Sequence, residues 1–217
     1  MQYKEAIKEK SIIDAVSGIR KKEDYVKLED ISTDFLTAIV AIEDHRFYSH
    51  SGIDTIAAVR AMFVNVKGKS FEYGASTITQ QLGRLLYFTQ EKQVTRKIAE
   101  IFVARDLEKE YEKKEILELY INIIYYGQGY YGISDAAHGY FNKEPSELTF
   151  DEATYLAGLP NAPSIYSEDK KLGEERRLQV LNAIEKYKYE IENNLWYINI
   201  KKKNTVWAHT CAHITVL

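Results

Sequence analysis

The sequence predicts a mainly α-helical protein, and three observations carry that prediction. Only Pro145, Pro160 and Pro163 interrupt 217 residues, which leaves room for long helices. Apolar residues recur at helical spacing in three places: Ile78, Leu82, Leu85 and Leu86; Ile98, Ile101 and Phe102, closed by Arg105; and Ile116, Leu119, Tyr120 and Ile123. Period-two alternation is scarce, so strands are expected to be few and short.

Taken in order, the chain opens without a secretory signal, because Lys4, Glu5, Lys8 and Glu9 break any apolar run after Met1. The longest apolar run, Phe35 to Ile42, contains Thr37 and falls short of the roughly 18 to 20 residues that span a bilayer. The sequence therefore reads as a soluble piece, and a membrane-bound parent would carry its anchor outside it. Ile56, Val59, Met62, Phe63 and Val66 can form an interfacial apolar face or plain core, and the pattern serves both equally. Residues Val64 to Gly74, Gly127 to Gly132, and Pro160 to Ser167 read as breaks. Thr149 followed by Glu152 is a capping box that starts a helix near Phe150. After Lys201 the composition shifts. The trio His209, Cys211 and His213 lacks a fourth ligand and a recognised spacing, so no metal site is read there. Cys211 is the sole cysteine, so no internal disulfide supports the fold. The formal net charge of -3 argues against a nucleic-acid partner.

Three clusters can carry chemistry. Glu43-Asp44-His45-Arg46-Phe47-Tyr48-Ser49-His50-Ser51-Gly52 follows an apolar helical run, which places a carboxylate at a helix end as a candidate general base; a solvated terminus capped by Gly52 explains the same letters. In Gly74 to Leu82, Ser76 or Thr77 can cap a helix, while the paired Gln80 and Gln81 offer donors and acceptors for sugar hydroxyls. In Arg96-Lys97-Ile98-Ala99-Glu100, Arg96 and Glu100 stand at i, i+4 and can be a surface pair or part of an anion site.

Together the clusters resemble the peptidoglycan glycosyltransferase family: the N-terminal domains of bifunctional penicillin-binding proteins and the monofunctional cell-wall transglycosylases. Glu-Asp, Phe and His-x-Gly are matched by Glu43, Asp44, Phe47, His50 and Gly52. Gly-x-Ser-Thr-Ile-Thr-Gln-Gln is matched without a gap by Gly74 to Gln81. Arg-Lys-x-x-Glu is matched by Arg96, Lys97 and Glu100, and Ile-Leu-Glu-x-Tyr-x-Asn-x-x-Tyr-x-Gly by Ile116 to Gly127. Ala136, Ala137, Tyr140 and Phe141 match a fourth motif, and Asn161 to Tyr166 a fifth. The matches span about Tyr25 to Arg177. Departures are Arg84 and Leu85, where the family has Lys-Asn, and Glu168, where a proline is usual.

The resemblance implies a lysozyme-like helical domain over residues 25–187 with a smaller membrane-proximal lobe, an N-terminal extension at 1–24, and a C-terminal tail of unknown role at 188–217. It implies polymerisation of lipid II onto a growing glycan chain, with loss of polyprenyl pyrophosphate and inversion. Glu43 is the implied base and Glu100 the second carboxylate, while Asp44, Phe47, His50, Ser76, Thr77, Gln80 and Gln81 line the substrate. Arg60, Arg84, Lys92, Arg96 and Lys97 are the implied pyrophosphate cations. No cofactor is required, although Mg2+ or Mn2+ can ride on the pyrophosphate near Glu100. The implied setting is the extracytoplasmic face of the cell membrane, with the membrane surface and other cell-wall synthesis proteins as partners. Two rival readings are a lysozyme-like glycan hydrolase, which also uses two carboxylates, and an inactive cell-wall scaffold module.

Overall fold

The computed structural model describes residues 2–59, 76–88 and 94–195. The mainly helical expectation holds. Among the described residues there is no strand, and one isolated antiparallel bridge joins Tyr125 and Tyr131. The helices are α1 (Gln2–Glu9), α2 (Ile12–Arg20), α3 (Thr33–Glu43), α4 (Ile78–Tyr87), α5 (Val94–Glu110), α6 (Lys113–Ile121), α7 (Ile133–Phe141), α8 (Phe150–Gly158), α9 (Pro163–Glu168) and α10 (Lys170–Leu195). None is long and apolar enough to cross a membrane. Arg60, Met62, Phe63, Val66, Lys92 and the tail trio at 209–213 lie outside the described residues.

Two packing groups meet at the site. In one, α8 and α10 pack on α3 and on each other, with α9 against α10. In the other, α5 and α6 pack on α4, with α1 on α5 and α2 on α6. The apolar run of α3 is explained by its packing against both α8 and α10. Phe35, Leu36, Ala38, Ile39, Val40 and Ala41 are all buried, so the helix is apolar nearly all round. It stops where Asp44 leaves helical geometry at φ -160°, ψ 73°.

The capping box at Thr149 and Glu152 starts α8 at Phe150, as expected. Thr77 caps α4 the same way, its hydroxyl accepting from the Gln80 amide nitrogen. On α4, Ile78 and Leu82 are buried, whereas Leu85 is exposed. The α5 stripe is a correction. Ile98 and Phe102 face outward, and the buried side is Ala99, Glu100, Val103, Ala104 and Leu107. Phe102 is partly covered by Tyr3 of α1, at 5.4 Å between ring centres. A second correction concerns 160–167. Pro160 lies in a 3-10 turn and Pro163 opens α9, a position where the missing N–H of proline has no consequence.

Residues 25–28 cross α6 as a strap. The Tyr25 hydroxyl donates to Glu118 Oε1 at 2.5 Å, and Leu28 N donates to Glu118 Oε2 at 2.9 Å. Asn122 accepts from Val26 N and donates to Val26 O, both at 2.8 Å. Gly127 is required where it stands: its φ is +89°, and a Cβ would collide with Ser167 and the Pro163 carbonyl.

Candidate active site

Glu43 ends α3 with its side chain 9% exposed. Gln81, one turn into α4, donates from Nε2 to Glu43 Oε2 at 2.8 Å. The amide is oriented by Tyr120 of α6, whose hydroxyl donates to Gln81 Oε1 at 3.1 Å. Burial keeps that hydroxyl protonated by raising it well above its ordinary value. Arg176 of α10 brings a guanidinium nitrogen to 3.8 Å from Glu43 Oε1. Burial pushes the Glu43 carboxyl above the usual carboxylate range, and the Asp44 charge adds to this. The Gln81 hydrogen bond, Arg176 and Arg84 pull the other way.

Asp44 turns away from Glu43 into a buried network. Its Oδ2 accepts from Ile78 N at 3.0 Å, so it ties the end of α3 to the first turn of α4. His50 Nε2 lies 3.0 Å from both Asp44 oxygens. The Thr77 hydroxyl donates to Gly52 O at 2.7 Å. Gly52, at φ +82°, lets this loop approach α5, since a Cβ there would lie 3.1 Å from Ala104 O. Phe47 is fully buried beneath the same loop. The two glutamines divide their work. Gln80 Oε1 accepts from Thr77 N at 3.2 Å, so the helix cap itself uses Gln80, which sequence analysis offered to sugar hydroxyls; Gln81 turns to the carboxylate.

Glu100 is the second buried carboxylate. Its oxygens are 3.2 Å from Arg96 Nε and 3.0 Å from Lys97 Nζ. Lys97 also donates to Ser76 Oγ at 2.7 Å, which joins the segment before α4 to α5. Arg96 and Glu100 are thus a buried pair, with side chains 17% and 3% exposed. The structure brings Glu43, Gln81 and Arg84 together, and separately Ser76, Arg96, Lys97 and Glu100. Arg60 and Lys92 lie outside the described residues.

Arg176 was not singled out in the sequence. A signal existed: Arg176, Val180 and Ile184 step at i, i+4, i+8, and the latter two are buried, so an arginine sits on an apolar stripe. Its Nε donates to Gly158 O at 3.3 Å and its NH1 to Gln179 Oε1 at 2.8 Å, which fixes the fork near Glu43. Tyr120 was read only as an apolar step and as a motif letter, and its hydroxyl link to Gln81 could not be foreseen from spacing.

The buried carboxylate, the oriented amide and the cation-bound second carboxylate all lie within the stretch that matches known proteins. A family model described as transglycosylase matches residues 9–185. A Cupriavidus necator protein, provisionally named a transglycosylase, is 48% identical over 152 residues, covering 70% of this chain and 65% of that protein. Penicillin-binding protein 1A of Vibrio cholerae is 45% identical over 168 residues, covering 76% and 20%. Penicillin-binding protein 1F of Bacillus subtilis is 39% identical over 189 residues, covering 85% and 25%. The chain therefore spans less than two thirds of each of these relatives. Since the family match takes in α2 through most of α10, and with it every described residue of the site, the chain belongs to the transglycosylase family, the peptidoglycan glycosyltransferases whose motifs it carries.

Proposed function

We propose that this domain polymerises lipid II into glycan strands, with Glu43 as general base. The observation that carries the reading is a buried carboxylate whose proton affinity is raised by burial, held by an oriented amide at 2.8 Å. A carboxylate with raised proton affinity suits proton abstraction from a sugar hydroxyl. The acceptor's hydroxyl oxygen forms a bond to the donor's anomeric carbon from the face opposite the leaving group. The proton passes to Glu43, and the bond from the anomeric carbon to the pyrophosphate oxygen breaks, with inversion. Lys97 and Arg96, held by Glu100, stand ready for the leaving pyrophosphate, and Arg84 adds a third cation. Arg60 and Lys92 join them in this reading.

Each Glu100 oxygen faces a cation, and among the described residues no group of three His, Cys, Asp or Glu side chains forms an ion cage. In this reading any Mg2+ or Mn2+ arrives on the pyrophosphate, and no step depends on it. The proposed setting is the outer face of the cell membrane, where the donor and acceptor lipids reside. The test feeds purified protein labelled lipid II and resolves the products by size. Long glycan strands are expected. Release of fragments from preformed glycan, with no polymer from lipid II, would replace this reading by hydrolysis.

A further inference from the structure

Behind the Glu43 wall lies a second polar cluster that the proposed chemistry does not use. Glu108 lies near the end of α5, and Lys113 opens α6. Lys113 Nζ donates to Glu108 Oε1 at 2.6 Å, and Thr79 Oγ1 donates to the same oxygen at 2.6 Å. The ammonium stands 4.3 Å from the centre of the Phe47 ring. Glu108 also packs on Gly52, where an added Cβ would come within 3.3 Å of its Cγ. One ion pair thus touches the segment after α3 at Phe47 and Gly52, and α4 at Thr79. Its side chains are 10% and 19% exposed. Burial pulls the Lys113 ammonium below its ordinary value, while Glu108 and Asp44 pull it back up. A pair this buried is a poor source of stability, because desolvation offsets attraction. What it supplies is fixed geometry.

We infer that Glu108 and Lys113 are positioning residues that set how the end of α3 meets the start of α4, and through this the contact between Glu43 and Gln81. The inference rests on the reading of Glu43 as base. Thr79 lies two residues before Gln81, and Phe47 four residues after Glu43, so the pair grips both sides of that contact. The Gln81 amide opposes the burial that raises the Glu43 carboxyl, as do Arg176 from α10 and Arg84 from α4, while Asp44 pushes it up. Tyr120 on α6 faces the same amide. If the grip loosens, Gln81 drifts, its opposing effect is lost, and the acid limb of the rate moves to higher pH.

The experiment measures kcat, KM for lipid II, the pH-rate profile and the melting temperature for three variants. Lys113→Met removes the charge and keeps most of the stem. Glu108→Gln keeps an acceptor for both Thr79 and Lys113. The double variant leaves no buried unpaired charge. Lys113→Met is expected to lower kcat by about 10- to 100-fold, the scale of a small misplacement, with KM within about twofold and the acid limb moved upward. Glu108→Gln is expected to retain most of the rate. The double variant should melt near the parent, yet keep the low kcat and the moved limb. A wild-type kcat and limb in Lys113→Met, or in the double variant if the single one does not fold, overturns the inference. So does a rate loss that only tracks melting temperature with the limb unmoved, and so does a double variant that fails to fold. Glu43→Gln is run in parallel. If it turns over at the wild-type rate, the base reading falls, and the pair is judged on the kcat and KM split alone.

Discussion

Glu43 and Glu100 sit on different helices with side chains 9% and 3% exposed, yet their surroundings differ in kind. Glu43 has a neutral amide at 2.8 Å and its nearest guanidinium nitrogen at 3.8 Å. Glu100 has a cation facing each oxygen, at 3.2 and 3.0 Å. Two carboxylates equally shut from water are therefore fitted for different work. One is left under-compensated, with its affinity for a proton raised. The other is spent on holding positive groups in place. The difference arises from helix position: Glu43 ends a helix packed on apolar faces, whereas Glu100 lies one turn past two basic residues on its own helix.

The largest expected effect breaks the first half of this comparison. Glu43→Gln keeps the shape but cannot accept a proton, so turnover of lipid II should fall by about 100- to 10,000-fold. Stability should move the other way. A carboxyl raised in the folded state contributes stability that is full below its unfolded value, about 4.3, and is lost as pH rises through the folded value. Above that unfolded value, keeping the Glu43 carboxyl buried costs stability, and the substitution removes that cost. A melting temperature equal to or above wild type at pH 7, with turnover collapsed, is the expected result. Turnover at the wild-type rate would end the base assignment.

Lys97→Met probes the second half. Lys97 is nearly half exposed, so a charge-assisted contact to pyrophosphate falls at the low end of its range, and KM for lipid II should rise about tenfold. The acid limb of the pH-rate profile should stay put, because Lys97 is paired with Glu100 and is not among the leading influences on Glu43. An unchanged KM would remove Lys97 from the pyrophosphate site.

Arg176→Met has the smallest expected effect and the sharpest signature. Arg176 pulls the Glu43 carboxyl down, so its loss leaves burial less opposed and shifts the acid limb to higher pH. Near neutrality the rate should fall by up to about tenfold, as befits a partner 3.8 Å away. A limb that moves as far in Lys97→Met as in Arg176→Met would erase the distinction between the two carboxylates.

Much of this was legible in the letters. The run that ends at Glu43 announced a helix end, and Thr77 and Thr149 announced helix starts, because caps are local chemistry read from adjacent residues. The α5 stripe was misread because spacing shows that a helix has an apolar face but not which face meets the core. Ile98 and Phe102 face out while the small Ala99, Val103 and Ala104 allow α4 to come close, where a Cβ on Gly83 would already lie 3.0 Å from Val103 Cγ1. Arg176 lies 133 positions after Glu43, and Glu108 lies 29 after Thr79. Contacts at such separations depend on how helices stack, and no local pattern encodes them. Asp44 and Gln80 show the opposite case, where residues matching a substrate-lining motif hold backbone groups of α4 and its cap.

The strap at 25–28 has a mechanical consequence. Its four hydrogen bonds all fall on Glu118 and Asn122, four residues apart, so a pull on the N-terminal chain is passed to the last turn of α6. Arg20, bonded to Glu115 at 2.7 Å, adds a fifth fastening one turn earlier on the same helix. That helix, α6, also carries Tyr120, the residue that aims Gln81 at Glu43. Tension on the front end of this domain is thus borne by the scaffold two hydrogen bonds away from the carboxylate.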